Sequence, residues 1–143
     1  WSSDVCSSDI ISLEHYNTVK LRGTSLPLIS FDIDGTLETG DPKGTVTMDM
    51  IQILKNKGNI LGSCSDRPVS YQNIMWEKQG LEVDFTVLKN RLNDVITTFE
   101  SDSYLHIGDT DMDEYFAQKA GFQFLRVDSI EFLDWKEAIF CSR

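Results

Sequence analysis

The segment Phe31-Asp32-Ile33-Asp34-Gly35-Thr36 places two carboxylates two residues apart at the end of an apolar run. In extended chain, residues i and i+2 point to the same side. Asp32 and Asp34 therefore converge where the chain leaves a strand, and Gly35 permits a sharp exit. Two carboxylates this close repel, which raises a pKa unless a cation sits between them. With the cation present, one can attack an electrophile while the other manages protons. A bare Asp-x-Asp is more often an acidic strand cap, but a buried apolar strand running into this pair favours chemistry.

A second acidic cluster is Ile107-Gly108-Asp109-Thr110-Asp111-Met112-Asp113. Asp109 and Asp113, four apart, are expected on one side of an opening helical turn. Hard oxygen donors suit Mg²⁺, which keeps several waters and takes few carboxylates. The plainer role is helix capping by Asp109 or Asp111, with Asp113 in the first turn. Ser65 lies in Gly62-Ser63-Cys64-Ser65-Asp66-Arg67-Pro68, at a strand end ahead of a helix start. A hydroxyl there is a ready phosphate donor, and the plainer role is again N-capping. Lys89, in Val87-Leu88-Lys89-Asn90-Arg91, follows a third apolar run. Taken alone this is most simply a surface lysine at a helix start, but a cation at a helix N-terminus is electrostatically misplaced, which mildly favours a role in neutralising an anion.

These residues need elements to hold them. Leu26–Asp34 is apolar and mostly non-alternating, as a strand buried on both faces would be. Asp41-Pro42-Lys43-Gly44 signals a turn. Thr47 caps a helix expected over Met48–Lys57, with Gly58 past its end. Strands follow at Asn59–Ser65, Val83–Leu88, Tyr104–Gly108 and Phe122–Val127. Helices intervene at Pro68–Gln79, Lys89–Glu100 and Met112–Ala120, with a last one near Ser129–Ala138. In Lys89–Glu100 the inward face is Leu92, Val95, Ile96 and Phe99. The alternation predicts an α/β fold: a doubly wound, three-layer, Rossmann-like parallel sheet of about five strands. Ligands bind such sheets at the carboxyl ends of strands, where all the residues singled out above lie.

Composition narrows the function further. The chain has 143 residues, 41% of them apolar, which suits a single core. The formal charge is −10, from 13 basic and 23 acidic residues, so a nucleic-acid backbone is a poor partner. No apolar run is long enough to span a membrane. No basic segment followed by an apolar one opens the chain, so secretion is not expected. Cys6, Cys64 and Cys141 lack metal-ligand spacing and read as free thiols in a reducing, cytoplasmic setting. Trp1–Asp9 has no amphipathic period and repeats Ser-Ser-Asp. It can be encoded by a string resembling a widely used sequencing-adapter oligonucleotide, so residues 1–9 are expected to be a non-native extension. Ile11–Leu21 carries no clear pattern, which leaves residues 10–25 unassigned.

Taken in order, the four segments resemble the motifs of the haloacid dehalogenase (HAD) superfamily of phosphohydrolases. The likeness spans roughly Leu26–Val127: DIDGT is similar to the first motif, Ser65 to the second, Lys89 to the third and GDTDMD to the fourth. It implies a catalytic domain over residues 26–143 that hydrolyses a phosphomonoester. Asp32 would form an aspartyl-phosphate, and Asp34 would serve as acid for the leaving group and base for water. Mg²⁺ would be held by Asp32, the backbone carbonyl of Asp34, and Asp109, with Asp113 supporting the site. Ser65 and Lys89 would bind phosphoryl oxygens. The second motif departs from the pattern, because Asp66 stands where many relatives have Gly. That leaves a choice between Ser63 and Ser65 as the phosphate ligand, with Ser65 the better placed at the strand end; Arg67 is a further residue that could reach substrate.

Relatives close their sites with inserted cap domains. From Asp34 to Ser65 there are 31 steps and from Ser65 to Lys89 there are 24, too few for a second core in either interval. The expectation is a capless domain, open to a bulky phosphorylated substrate or closed by the Leu37–Val46 flap or a second subunit of a homo-oligomer. Two competing readings are a catalytically idle binding module on the same fold and a receiver-type phosphoacceptor. The latter would need an aspartate after the third strand, where Lys89 stands.

Overall fold

A computed structural model of the chain describes residues 26–140. The readings of residues 1–9 and 10–25, and of Cys6 and Cys141, fall outside them. Five strands form one parallel sheet: β1 (Leu28–Phe31), β2 (Leu61–Ser65), β3 (Phe85–Leu88), β4 (Tyr104–Gly108) and β5 (Gln123–Arg126). Their spatial order is β3-β2-β1-β4-β5. The helices are α1 (Met48–Lys57), α2 (Val69–Lys78), α3 (Leu92–Thr98), α4 (Asp111–Ala120) and α5 (Ile130–Phe140). The expected α/β doubly wound fold is therefore the one observed.

Alternation along the central strand divides the core into two. Ile29 and Phe31 join Ile51 and Leu54 of α1, Trp76 of α2 and Phe132 of α5 on one face. Leu28 joins Leu92 and Val95 of α3 and Ala117 of α4 on the other. All four residues of β1 are buried, which explains the continuous apolar run where an amphipathic strand would alternate.

Local chemistry sets the element ends. The Thr47 hydroxyl accepts from the Met50 amide at 3.2 Å, and Gly58 closes α1 in the left-handed region at φ 102°. The expected strand over Leu26–Asp34 is shorter in the structure. Sheet pairing stops at Phe31, because the chain turns immediately after the Asp32 amide donates to the Ile107 carbonyl at 2.9 Å. The expected helix over Lys89–Glu100 opens with a 3₁₀ turn at Lys89–Arg91 before α3 begins.

Between β1 and α1 the chain makes a compact flap. The Val46 amide donates to the Thr36 carbonyl at 2.9 Å, and the Glu38 amide to the Val46 carbonyl at 2.8 Å. Leu37 and Val46 are fully buried, which pins the flap to the sheet. No inserted domain separates the elements among the described residues. No helix among them is long and apolar enough to cross a membrane.

The α1 cap yields a direct test. Thr47→Ala should lower stability by about 1 kcal/mol, read as a lower urea midpoint with an unchanged slope.

Candidate active site

Strand order brings the two acidic motifs together. β1 and β4 are neighbours, with Phe31 opposite Ile107, so the residues that follow them leave the sheet side by side. In this order the chain winds one way from β1 through β2 to β3 and the other way through β4 to β5. The junction of β1 and β4 is thus the switch point at which such sheets bind ligands.

Asp32, Asp109 and Asp113 each present an oxygen within 4.8 Å of the other two. Asp32 is 4% exposed and Asp113 is fully buried. Lys89 reaches into the same space from the start of the 3₁₀ turn. Its Nζ lies 3.3 Å from Asp113 Oδ1, 3.8 Å from Asp32 Oδ2 and 3.5 Å from Asp66 Oδ2. The ammonium is held in place by the anions around it, which accounts for a lysine at a turn start.

The three carboxylates differ in how they are satisfied. Asp113 Oδ2 accepts from the Asp109 and Thr110 amides at 3.2 Å and from Thr110 Oγ1 at 2.8 Å. Its Oδ1 accepts from His106 Nε2 at 3.1 Å, and His106 Nδ1 lies 2.9 Å from Ser30 Oγ. Burial opposes ionisation of Asp113, but the His106 hydrogen bond and charge, Lys89 and Thr110 outweigh it and hold the carboxyl well below the usual range. Asp32 shifts the other way. Burial, then the charge of Asp113, pushes it well above the usual carboxylate range, and Lys89 offsets only part of this. Asp109 Oδ1 is buried with no hydrogen-bond partner.

This donor set suits a hard divalent cation. Asp109 offers a buried acceptor without a partner, and Asp32 lacks enough positive charge to ionise comfortably beside Asp113. A cation between Asp32 and Asp109 would satisfy both. With both oxygens engaged, Asp113 orients the neighbouring groups and Lys89. The backbone also approaches closely here: a Cβ on Gly35, at φ 78°, would sit 1.9 Å from Asp109 Oδ2. Only glycine lets the turn after Asp34 pass over that carboxylate.

Asp34 points elsewhere. Its carboxylate accepts from Arg67 Nε at 2.8 Å and Nη2 at 3.2 Å, and from the Asp41 amide at 2.9 Å. Burial works against ionisation, but the Arg67 hydrogen bonds, the Asp41 amide and the charge of Arg67 prevail and lower its pKa. The side chain thus stands outside the group of three carboxylates.

The two serines have separate surroundings. Ser63 Oγ donates to Gln72 Oε1 at 2.6 Å and accepts from Trp76 Nε1 at 3.0 Å, so it is fully engaged inside the α2 packing. Ser65 Oγ, at the strand end, accepts from the Arg67 amide at 3.0 Å and keeps its hydrogen for another acceptor.

The helix after β4 is capped by Thr110, not by Asp109 or Asp111. Its hydroxyl accepts from the Asp113 amide at 3.2 Å. Asp109 therefore lies before the helix, and Asp113 is its third residue. Sequence reasoning missed His106. A polar residue in the apolar strand Tyr104-Leu105-His106-Ile107 was the available signal, since such a residue needs a buried partner.

No family model, curated protein or solved structure matches this chain.

Two tests follow from this geometry. Saturating Mg²⁺ should raise the melting temperature by about 5–10 °C, in line with about 2.7 kcal/mol at a hundredfold excess over Kd. Asp109→Asn should remove most of that rise, and a thermal-shift titration reads both. Ser63→Ala should cost about 1–3 kcal/mol by stranding Trp76 Nε1 and Gln72, with inorganic phosphate affinity unchanged. Ser65→Ala should weaken phosphate binding with a smaller loss of stability; calorimetry and urea denaturation separate the two variants.

Proposed function

We propose that the chain is a Mg²⁺-dependent phosphomonoesterase of the HAD type, lacking a cap domain, with Asp32 as nucleophile. The observation that carries this reading is the buried Lys89 ammonium shared by Asp32 and Asp113, beside the partnerless Asp109 oxygen, at the β1–β4 junction. An aspartate that must attack a phosphate dianion needs positive charge around it. A bound Mg²⁺ would add charge neutralisation for the nucleophile and the phosphoryl oxygens.

The rest of the reaction falls to the chain's own groups. Asp32 Oδ attacks phosphorus, and the phosphorus–oxygen bond to the leaving group breaks in line with it. Asp34 gives a proton to the departing oxygen. Lys89 and Ser65 hold the phosphoryl oxygens while charge spreads over them. Asp34, now ionised, takes a proton from water, which attacks the aspartyl-phosphate and frees inorganic phosphate. Arg67 must release Asp34 before Asp34 can act as the acid.

That last requirement favours one competing reading. The two-point Arg67 grip on Asp34 is what a catalytically idle binding module would retain. Turnover decides between the two. With Mg²⁺, the wild type should hydrolyse a generic aryl phosphate. Asp32→Asn should reduce this to background while circular dichroism stays native. Asp34→Asn should slow turnover by about 10²–10⁴-fold and let acid-stable-assay phosphoprotein accumulate. Full activity in Asp32→Asn, or no turnover in the wild type, would remove the enzymatic reading.

A further inference from the structure

We propose that the groove between the flap and α2 receives the leaving group, and that it selects a phosphomonoester whose leaving group combines a flat apolar portion with a second negative charge. This rests on the phosphatase reading above and adds a substrate class to it. The groove is a cavity of about 440 Å³ walled by the flap on one side and α2 on the other. Arg67 joins it to the catalytic residues: its guanidinium holds Asp34 and lies 4.7 Å from the centre of the Tyr71 ring. A leaving group that takes its proton from Asp34 therefore departs beside Arg67, toward Tyr71.

The lining matches such a ligand. Tyr71 and Ile74 are 37% and 52% exposed, so α2 turns apolar side chains toward the groove. Thr39 Oγ1 donates to Met75 Sδ at 2.9 Å, which ties the flap to α2 and sets the width between them. Lys43 from the flap and Lys78 from α2 stand on opposite walls, and neither is paired with a carboxylate among the described residues. The acidic side chain in the lining, Glu38, is already engaged, its Oε2 accepting from the Met48 amide at 2.6 Å. Two lysines against one carboxylate leave the lining net positive, in a chain whose net charge is −10. An aromatic or similarly flat face would lie on Tyr71 and Ile74, and a carboxylate or second phosphate would meet a lysine.

The test uses phosphonates, which bind without being hydrolysed. Calorimetry with Mg²⁺ would compare methylphosphonate, benzylphosphonate, and 3- and 4-carboxybenzylphosphonate. Benzylphosphonate should bind better than methylphosphonate, and at least one carboxylated form better again by roughly fivefold, near the upper range for one partly exposed ion pair. Lys43→Glu with Lys78→Glu should erase the second preference and spare the first. Tyr71→Ala should erase the first. Equal affinities across the series, preferences indifferent to these substitutions, or no binding would overturn the proposal. Hydrolysis of phenyl phosphate, measured in parallel, reports on the catalytic reading separately. Substitution-sensitive preferences without hydrolysis would keep the groove and remove the enzyme; hydrolysis without preferences would do the reverse.

Discussion

Mutual repulsion among Asp32, Asp109 and Asp113 is the constraint around which this molecule is arranged. Their oxygens lie within 4.8 Å of one another in a largely buried space. Such a cluster is costly unless cations and hydrogen-bond donors face it. The chain supplies an ammonium from Lys89, two amides and a hydroxyl from the Asp109–Thr110 turn, and a ring N–H from His106. These donors are spent unevenly. Asp113 takes most of them, while Asp109 keeps an oxygen with no partner and Asp32 stays short of positive charge. That imbalance distinguishes the cluster from one in which every carboxylate oxygen is satisfied.

The sheet makes the arrangement reproducible. Each of the four motifs follows or ends a strand, and parallel strands deliver all four to the same edge. The flanking groups are rigid for ordinary reasons. Lys89 begins a turn anchored by fully buried Leu92, His106 lies within a strand, and Ser65 ends one. Ser63 serves this rigidity directly, because Gln72 also donates to the Arg67 and Val87 carbonyls and so fastens α2 to the loop that carries Arg67. Arg67 is the more adaptable member. It is partly exposed, and it touches both Asp34 and Tyr71, linking the end of β1 to the groove between the flap and α2.

Much of this was written along the chain. A buried parallel strand has to be apolar without alternation, so Leu28–Phe31 announced itself, and five strand–helix alternations left little choice but a doubly wound sheet. Asp32, Asp34, Asp109 and Asp113 stood out as candidates because two acidic clusters follow apolar strands in one chain; a single such cluster has an ordinary role as a strand or helix cap. The short intervals around Ser65 likewise excluded an inserted domain. What tertiary structure alone decided is how each group is partnered. Hydrogen bonds between residues 33 or 76 positions apart, such as Arg67 to Asp34 and Ser30 to His106, leave no local period or spacing. The division of labour between Ser63 and Ser65 depended on which way β2 faces α2. The cap at Thr110 depended on where β4 ends and the following helix begins, at Gly108 and Asp111. Sequence could place these side chains at the strand ends because that is a local property of the backbone. Which carboxylate is satisfied and which is left open is a property of contacts made only after the chain has closed on itself.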